Sequence, residues 1–220
     1  MSTIDDKYSS LGGASSPLGL PKGAEVTCAN KDWTKRDYQF GSIYSWKYSN
    51  SGAHEIHGNI AQKYYSLNSE ASALGYPQSD ETGLFDGLGR VNYFDNGMIV
   101  WRASIGSFEV QGSIAGRYHA LGGPQGLLGY PLTDESPTSD NTGRYNQFEG
   151  GVIYYKWNTP SAHEVHGAIL AKWKSLGLQT SSLGYPVTNE MPASGAQGAR
   201  QSRFEHGTIL WTPSGGAQVV

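Results

Sequence analysis

Four times in 220 residues the chain writes the same phrase, Leu-Gly-x-Pro-x-x-x-Glu. The copies are Leu18-Gly19-Pro21-Glu25, Leu74-Gly75-Pro77-Glu81, Leu128-Gly129-Pro131-Glu135 and Leu183-Gly184-Pro186-Glu190, and their leucines stand 56, 54 and 55 residues apart. A fixed period of this length means one supersecondary unit reused, each copy covering the apolar face of its neighbour. It also constrains chemistry, because a role proposed for one copy must account for similar residues in the others.

The rest of the unit follows by superposing the copies. An aromatic, two residues, a glycine, one residue and an isoleucine recur at Tyr38-Gly41-Ile43, Phe94-Gly97-Ile99, Phe148-Gly151-Ile153 and Phe204-Gly207-Ile209. Two positions on stand Trp101, Tyr155 and Trp211, whereas the first copy has Ser45 there and Trp46 one place later. The segments Ala53 to Gly58, Ser107 to Gly112 and Ala162 to Gly167 come next. Each leads into a helical spacing of four and three: Ile60, Tyr64, Leu67; Ile114, Tyr118, Leu121; Ile169, Trp173, Leu176. The fourth copy stops inside this pattern, at Ala217-Gln218-Val219-Val220. Its helix spacing is found at the other end of the chain, at Ile4, Tyr8 and Leu11, and by register Val220 matches Val165 and Met1 matches His166. The expected architecture is therefore α+β: a closed pseudo-fourfold ring of four β-hairpin plus short-helix repeats, the fourth completed by the N-terminal segment. The repeats run approximately 18–73, 74–127, 128–182, and 183–220 plus 1–17, in a single domain over 1–220.

Local signals give the unit its shape. Phe94-Asp95-Asn96-Gly97 reads as a hairpin around an Asn-Gly turn, with Gly at positive φ. The Leu-Gly-x-Pro phrase reads as an elbow, where Gly releases the helix and Pro forbids its continuation. The 30 glycines agree with many tight turns.

Composition excludes several classes. A formal charge of −3 and no basic stripe give no electrostatic case for nucleic acid. No apolar run approaches the roughly 18 residues of a membrane helix, so no membrane insertion is expected. The single cysteine, Cys28, cannot close an internal disulfide. The N-terminus lacks a basic head and apolar core, so the expected location is cytoplasmic or by unconventional secretion, and extracellular if a leader has been removed.

Nothing resembles a nucleophile elbow, a phosphate loop or a Cys-His pair, and nothing calls for a cofactor. The pairs His54-x-x-His57 and His163-x-x-His166 have metal-like spacing. The second copy replaces them with Phe108 and Gln111, so His57 and His166 are read as structural residues at the helix entrance, in the sense of local capping, with no metal. Glu25, Glu81, Glu135 and Glu190 are read as structural too, accepting backbone hydrogen bonds in the elbow, because four equivalent carboxylates argue against one catalytic pair. Glu55, Glu109 and Glu164 stand a few residues before helices, where an acid is favoured by the dipole. The aromatics carry the functional signal. Trp46, Trp101, Tyr155 and Trp211, with Tyr154 on the opposite strand face and Asp80 and Asp134 beside the elbow glutamates, supply flat rings and hydroxyl-binding groups of the kind a sugar site uses. Core packing is the competing role for Trp101 and Trp211.

The series Leu-Gly-Tyr-Pro, a Glu four residues after the Pro, Phe-x-x-Gly-x-Ile and Ala-His-Glu-Val-His-Gly-x-Ile resembles the LGFP repeat family, with Leu20, Tyr76, Tyr130 and Tyr185 in place of the Phe. The resemblance covers nearly the whole chain. In cell-surface mycoloyltransferases and amidases of actinobacteria such repeats form a non-catalytic module implicated in attachment to envelope polysaccharide. It implies a freestanding, lectin-like and multivalent module for a glycan or cell-wall polysaccharide. Two alternatives are an enzyme with one active site in a diverged repeat, for which the first unit with Cys28, Lys31, Asp32, Lys35, Arg36 and Asp37 differs most, and a protein-interaction scaffold.

Overall fold

The computed structural model describes residues 2–48 and 52–220. Met1, which the register sets opposite His166, lies outside the described residues. The chain divides into two compact units, Met1–Glu109 and Val110–Val220.

Each repeat carries a short helix and a four-stranded antiparallel sheet whose strands follow in chain order. In the first unit, α1 (Thr3–Ser10) leads into β1 (Val26–Thr27), β2 (Trp33–Asp37), β3 (Gly41–Trp46) and β4 (Ala53–His57). Then α2 (Gly58–Ser66) leads into β5 (Thr82–Gly83), β6 (Gly89–Phe94), β7 (Gly97–Arg102) and β8 (Gly106–Gln111), the last of which ends past the unit boundary. In the second unit, α3 (Gly112–Ala120) precedes β9 (Ser136–Pro137), β10 (Gly143–Gln147), β11 (Gly151–Lys156) and β12 (His163–His166). Finally α4 (Gly167–Leu176) precedes β13 (Met191–Pro192), β14 (Arg200–Phe204), β15 (Gly207–Thr212) and β16 (Gly216–Val219). Every helix lies on the third strand of the sheet that follows it: α1 on β3, α2 on β7, α3 on β11 and α4 on β15. Counted helix first, each sheet has its own helix, and α1 packs on β3 and β4 of the first sheet.

The periodic residues make the core. Ile60 and Tyr64 of α2, Leu74 and Tyr76 of the elbow, and Phe94 and Ile99 of the next hairpin are buried together. Their counterparts Ile169, Trp173, Leu183, Tyr185, Phe204 and Ile209 form the same cluster in the second unit. Burial of each such side chain contributes about 1.5–3 kcal/mol. The helix tyrosine also locks the elbow: the hydroxyls of Tyr8, Tyr64 and Tyr118 donate to the carbonyls of Gly19, Gly75 and Gly129 at 2.8, 2.8 and 2.7 Å. In α4 Trp173 holds this place, and its buried indole N–H has no partner among the described residues.

Three expectations change. The hairpin turns on Asp95-Asn96, because Phe94 pairs directly with Gly97. Among the strand glycines of this motif, Gly151 begins β11 at negative φ and is required for proximity, since a Cβ there would lie 2.8 Å from the Val165 carbonyl oxygen and 2.9 Å from Leu128. Two strands join each hairpin. The fourth in the first sheet is the Ala53–His57 segment, whose buried Glu55 breaks the apolar alternation by which a strand announces itself. The elbow amides are taken by the hairpin tip: the N–H groups of Tyr76, Tyr130 and Tyr185 donate to Asp95, Glu149 and Glu205 at 2.8, 3.1 and 3.0 Å.

Candidate functional site

Three of the four elbow glutamates, Glu81, Glu135 and Glu190, pair with basic side chains. The Glu81 carboxylate, 5% exposed, pairs with the Arg90 guanidinium and lies 2.8 Å from His57 Nδ1. Glu190, 8% exposed, lies 3.1 Å from Arg200 Nε and 3.3 Å from His166 Nε2. Arg144 donates to Glu135 at 2.5 Å. Glu25 is half-buried, and the cross-strand pair that corresponds to arginine and tryptophan in the first sheet is Thr34 and Ser45.

Strand register explains the assembly. Arg90 faces Trp101 across β6 and β7, Arg144 faces Tyr155 across β10 and β11, and Arg200 faces Trp211 across β14 and β15. The histidine ends the preceding sheet and occupies the N-cap position of the helix. Its side chain makes no capping bond, contrary to the sequence expectation, because Glu81 or Glu190 holds it instead. His57, Asn59, Ile60, Glu81, Arg90 and Trp101 thereby wall a cleft of about 340 Å³ in the first unit. His166, Ile169, Glu190, Arg200 and Trp211 wall its counterpart of about 220 Å³ in the second. Beyond Trp101 and Asn59 a wider hollow of about 540 Å³ continues past Gln62, Lys63 and Ser107.

Electrostatics follow from burial. Burial pulls the His57 imidazole down, but its hydrogen bond to Glu81 and the charges of Glu55 and Glu81 outweigh that, so its pKa is raised, with Arg90 opposing. Burial pushes the Glu55 carboxyl up, against the attraction of His57 and a hydrogen bond from the Glu81 amide. Glu55 and Glu164 thus serve the next elbow, accepting the Glu81 and Glu190 N–H at 3.1 Å each, and the helix-dipole role expected of them is replaced. Glu164 also meets Arg117 at 2.6 Å.

The histidine pairs split between different partners. His54 Nδ1 lies 3.6 Å from Asp80 and His163 Nδ1 lies 3.1 Å from Asn189, while His57 and His166 go to the glutamates. Asp80 also accepts from Lys7 and from the Glu55 N–H. Burial would raise its pKa, but the nearby His54 imidazole, the Lys7 ammonium and the Glu55 N–H dominate and hold it at about 2. It does not wall the cleft, and Asp134 is half-buried at the matching place of the third elbow.

The candidate rings divide four ways. Trp101 and Trp211 wall the clefts while packing against the cores. Tyr155 is half-buried and edge-on to Trp157 at 5.7 Å. Trp46 is 41% exposed and sits edge-on to Tyr48, apart from the described clefts. Tyr154 is corrected: it is 3% exposed, edge-on to Trp173 at 4.9 Å, because its strand face is the one that packs under α4. Sequence reading missed Arg90, Arg144 and Arg200. Their signal was the repeat itself, an arginine nine or ten residues after the elbow glutamate.

A helix, a Leu-Gly-x-Pro elbow and a four-stranded sheet, repeated with a His-Glu-Arg-aromatic cluster at the elbow, define a repeat protein of one kind. The LGFP repeat model matches residues 18–72, 74–126, 128–181 and 183–220, and the chain belongs to the LGFP repeat family. No curated protein matches the chain. Among solved structures, the extracellular domain of a hybrid two-component system from B. thetaiotaomicron is similar at 13% identity and a TM-score of 0.19, over 89% of this chain and 21% of that one. The chain thus spans a small part of that protein's length, and the likeness carries no argument about function. Among the described residues, no helix is long and apolar enough to cross a membrane.

Proposed function

We propose that this chain is a non-catalytic, multivalent carbohydrate-binding protein, a lectin-like module for cell-wall or other glycans. The observation that carries the reading is the recurrence of one cleft in both units, with an indole wall and a small set of fixed polar groups. Flat rings receive the C–H faces of sugars and a few oriented polar groups receive the hydroxyls. Family membership supports it, since the resemblance drawn from the sequence implies envelope polysaccharide as the partner. Linked clefts raise avidity without new contacts. We read the four repeats as one ring-shaped domain with adjoining ends, which would fix the spacing of the clefts.

A glycan array followed by calorimetry tests the reading. Selective binding of one glycan class is expected. Trp101→Ala and Trp211→Ala are each expected to weaken it by about 1–3 kcal/mol, with circular dichroism unchanged. Unaltered affinity in both folded variants removes the clefts from consideration, and silence across the array removes carbohydrate.

A further inference from the structure

We propose that the chain holds two sites for a carboxylate-bearing sugar, one at the second elbow and one at the fourth. The proposal rests on the carbohydrate reading above and narrows it in number and in ligand chemistry.

The number comes from the side chains that each elbow assembles. Glu81 and Glu190 each hold a histidine and an arginine beside a tryptophan. At the third elbow Gln111 stands in the histidine register and Tyr155 in the tryptophan register. At the first, Thr34 and Ser45 replace arginine and tryptophan, and the histidine register falls on Met1. The ligand must stack on the indole and meet the cation, so two of the four elbows qualify.

The chemistry comes from what is left over for a ligand. The carboxylates of Glu81 and Glu190 are almost wholly covered and already hold two partners each. Arg90 is 45% exposed, and Glu81 takes its Nε, leaving both terminal nitrogens without a partner among the described residues. Arg200 is 39% exposed and gives Nε and one terminal nitrogen to Glu190. Each imidazole spends one nitrogen on its glutamate, and the other, which donates when the ring is protonated, has no partner among the described residues. The Asn59 amide is present in one cleft only, Ala168 standing in the other. Both clefts therefore present donors and ask for acceptors. The first turns of α2 and α4, which carry no side-chain cap, line the same wall and favour the same sign. A carboxylate is the acceptor that matches an arginine fork, and a sugar that carries one can lie its ring on the indole. The other charged groups near His57 are Glu55, which receives the Glu81 amide, and Asp80, tied up by Lys7 and His54.

The test is calorimetric titration of the full chain with galacturonate, glucuronate and sialyl oligosaccharides, each against its carboxyl-reduced counterpart. At least one acidic sugar is expected to fill two sites per chain and to bind about tenfold or more better than its reduced form. Arg90→Gln and Arg200→Gln should each leave one site and together leave none, whereas Arg144→Gln keeps both. Arg90→Lys retains the ion pair with Glu81 and loses the fork. It is expected to fold and to weaken its site, which keeps the proposal testable if Arg90→Gln melts. Equal affinity for acidic and reduced sugars, preference for neutral glycans, or a count of one or four sites overturns the proposal and leaves carbohydrate binding standing. Absence of binding to any glycan overturns both.

Discussion

The pairing of His57 with Glu81 is the residue-scale feature with the clearest consequence in solution. The imidazole is raised in the folded chain. Its contribution to stability is therefore complete below the unfolded value of about 6.5 and is lost as pH climbs through the higher folded value. Glu55, also raised, acts in the same direction in the acid range. Urea denaturation is expected to show stability declining as pH rises above about 6.5, and His57→Gln is expected to flatten that slope. An undiminished slope in the variant would assign it to another group. The sequence displayed these residues but not their partners. His57 and Glu81 are 24 positions apart, and only the return of the chain through the elbow brings them to 2.8 Å.

At the scale of the element, the elbow was legible and half of the sheet was not. Leu74-Gly75-x-Pro77 showed its turn because Gly and Pro are constrained by their own backbones. β4 was hidden because its inward positions include Glu55, and β1, β5, β9 and β13 are two residues each, too short to carry a period. The strand face of Tyr154 could not be chosen from alternation either, since Tyr154 and Tyr155 are equally aromatic. The elbow's geometry allows a direct test. Gly75 has φ of +74°, and a Cβ there would lie 2.4 Å from the Asp95 carboxylate that caps the Tyr76 amide. Gly75→Ala is expected to cost at least about 1–2 kcal/mol from backbone conformation alone, and more as Asp95 is displaced. Chemical denaturation measures it, and a change below about 0.5 kcal/mol would mean that the elbow relaxes freely.

At the scale of the whole molecule, four copies of one unit are arranged as two compact units of two sheets each. The proposed closure of the ring predicts that Val220 can be joined to Met1 by a short linker and the chain reopened at the exposed Asp86-Gly87 loop beside Phe85, which is 98% exposed. Such a permutant should melt within a few degrees of the parent, and one that fails to fold, when a chain merely nicked at that loop stays folded, would exclude adjoining ends.

Cys28 is 6% exposed, and burial, then the negative charge of Glu70, lifts its thiol to about 11, against the pull of Lys35. Near pH 7.5 only on the order of one molecule in a few thousand carries the nucleophilic thiolate. Maleimide or a spin label offered to a newly introduced surface cysteine should therefore pass the native sulfur by, so fluorophores can be placed beside either cleft without first stripping the chain of its own thiol.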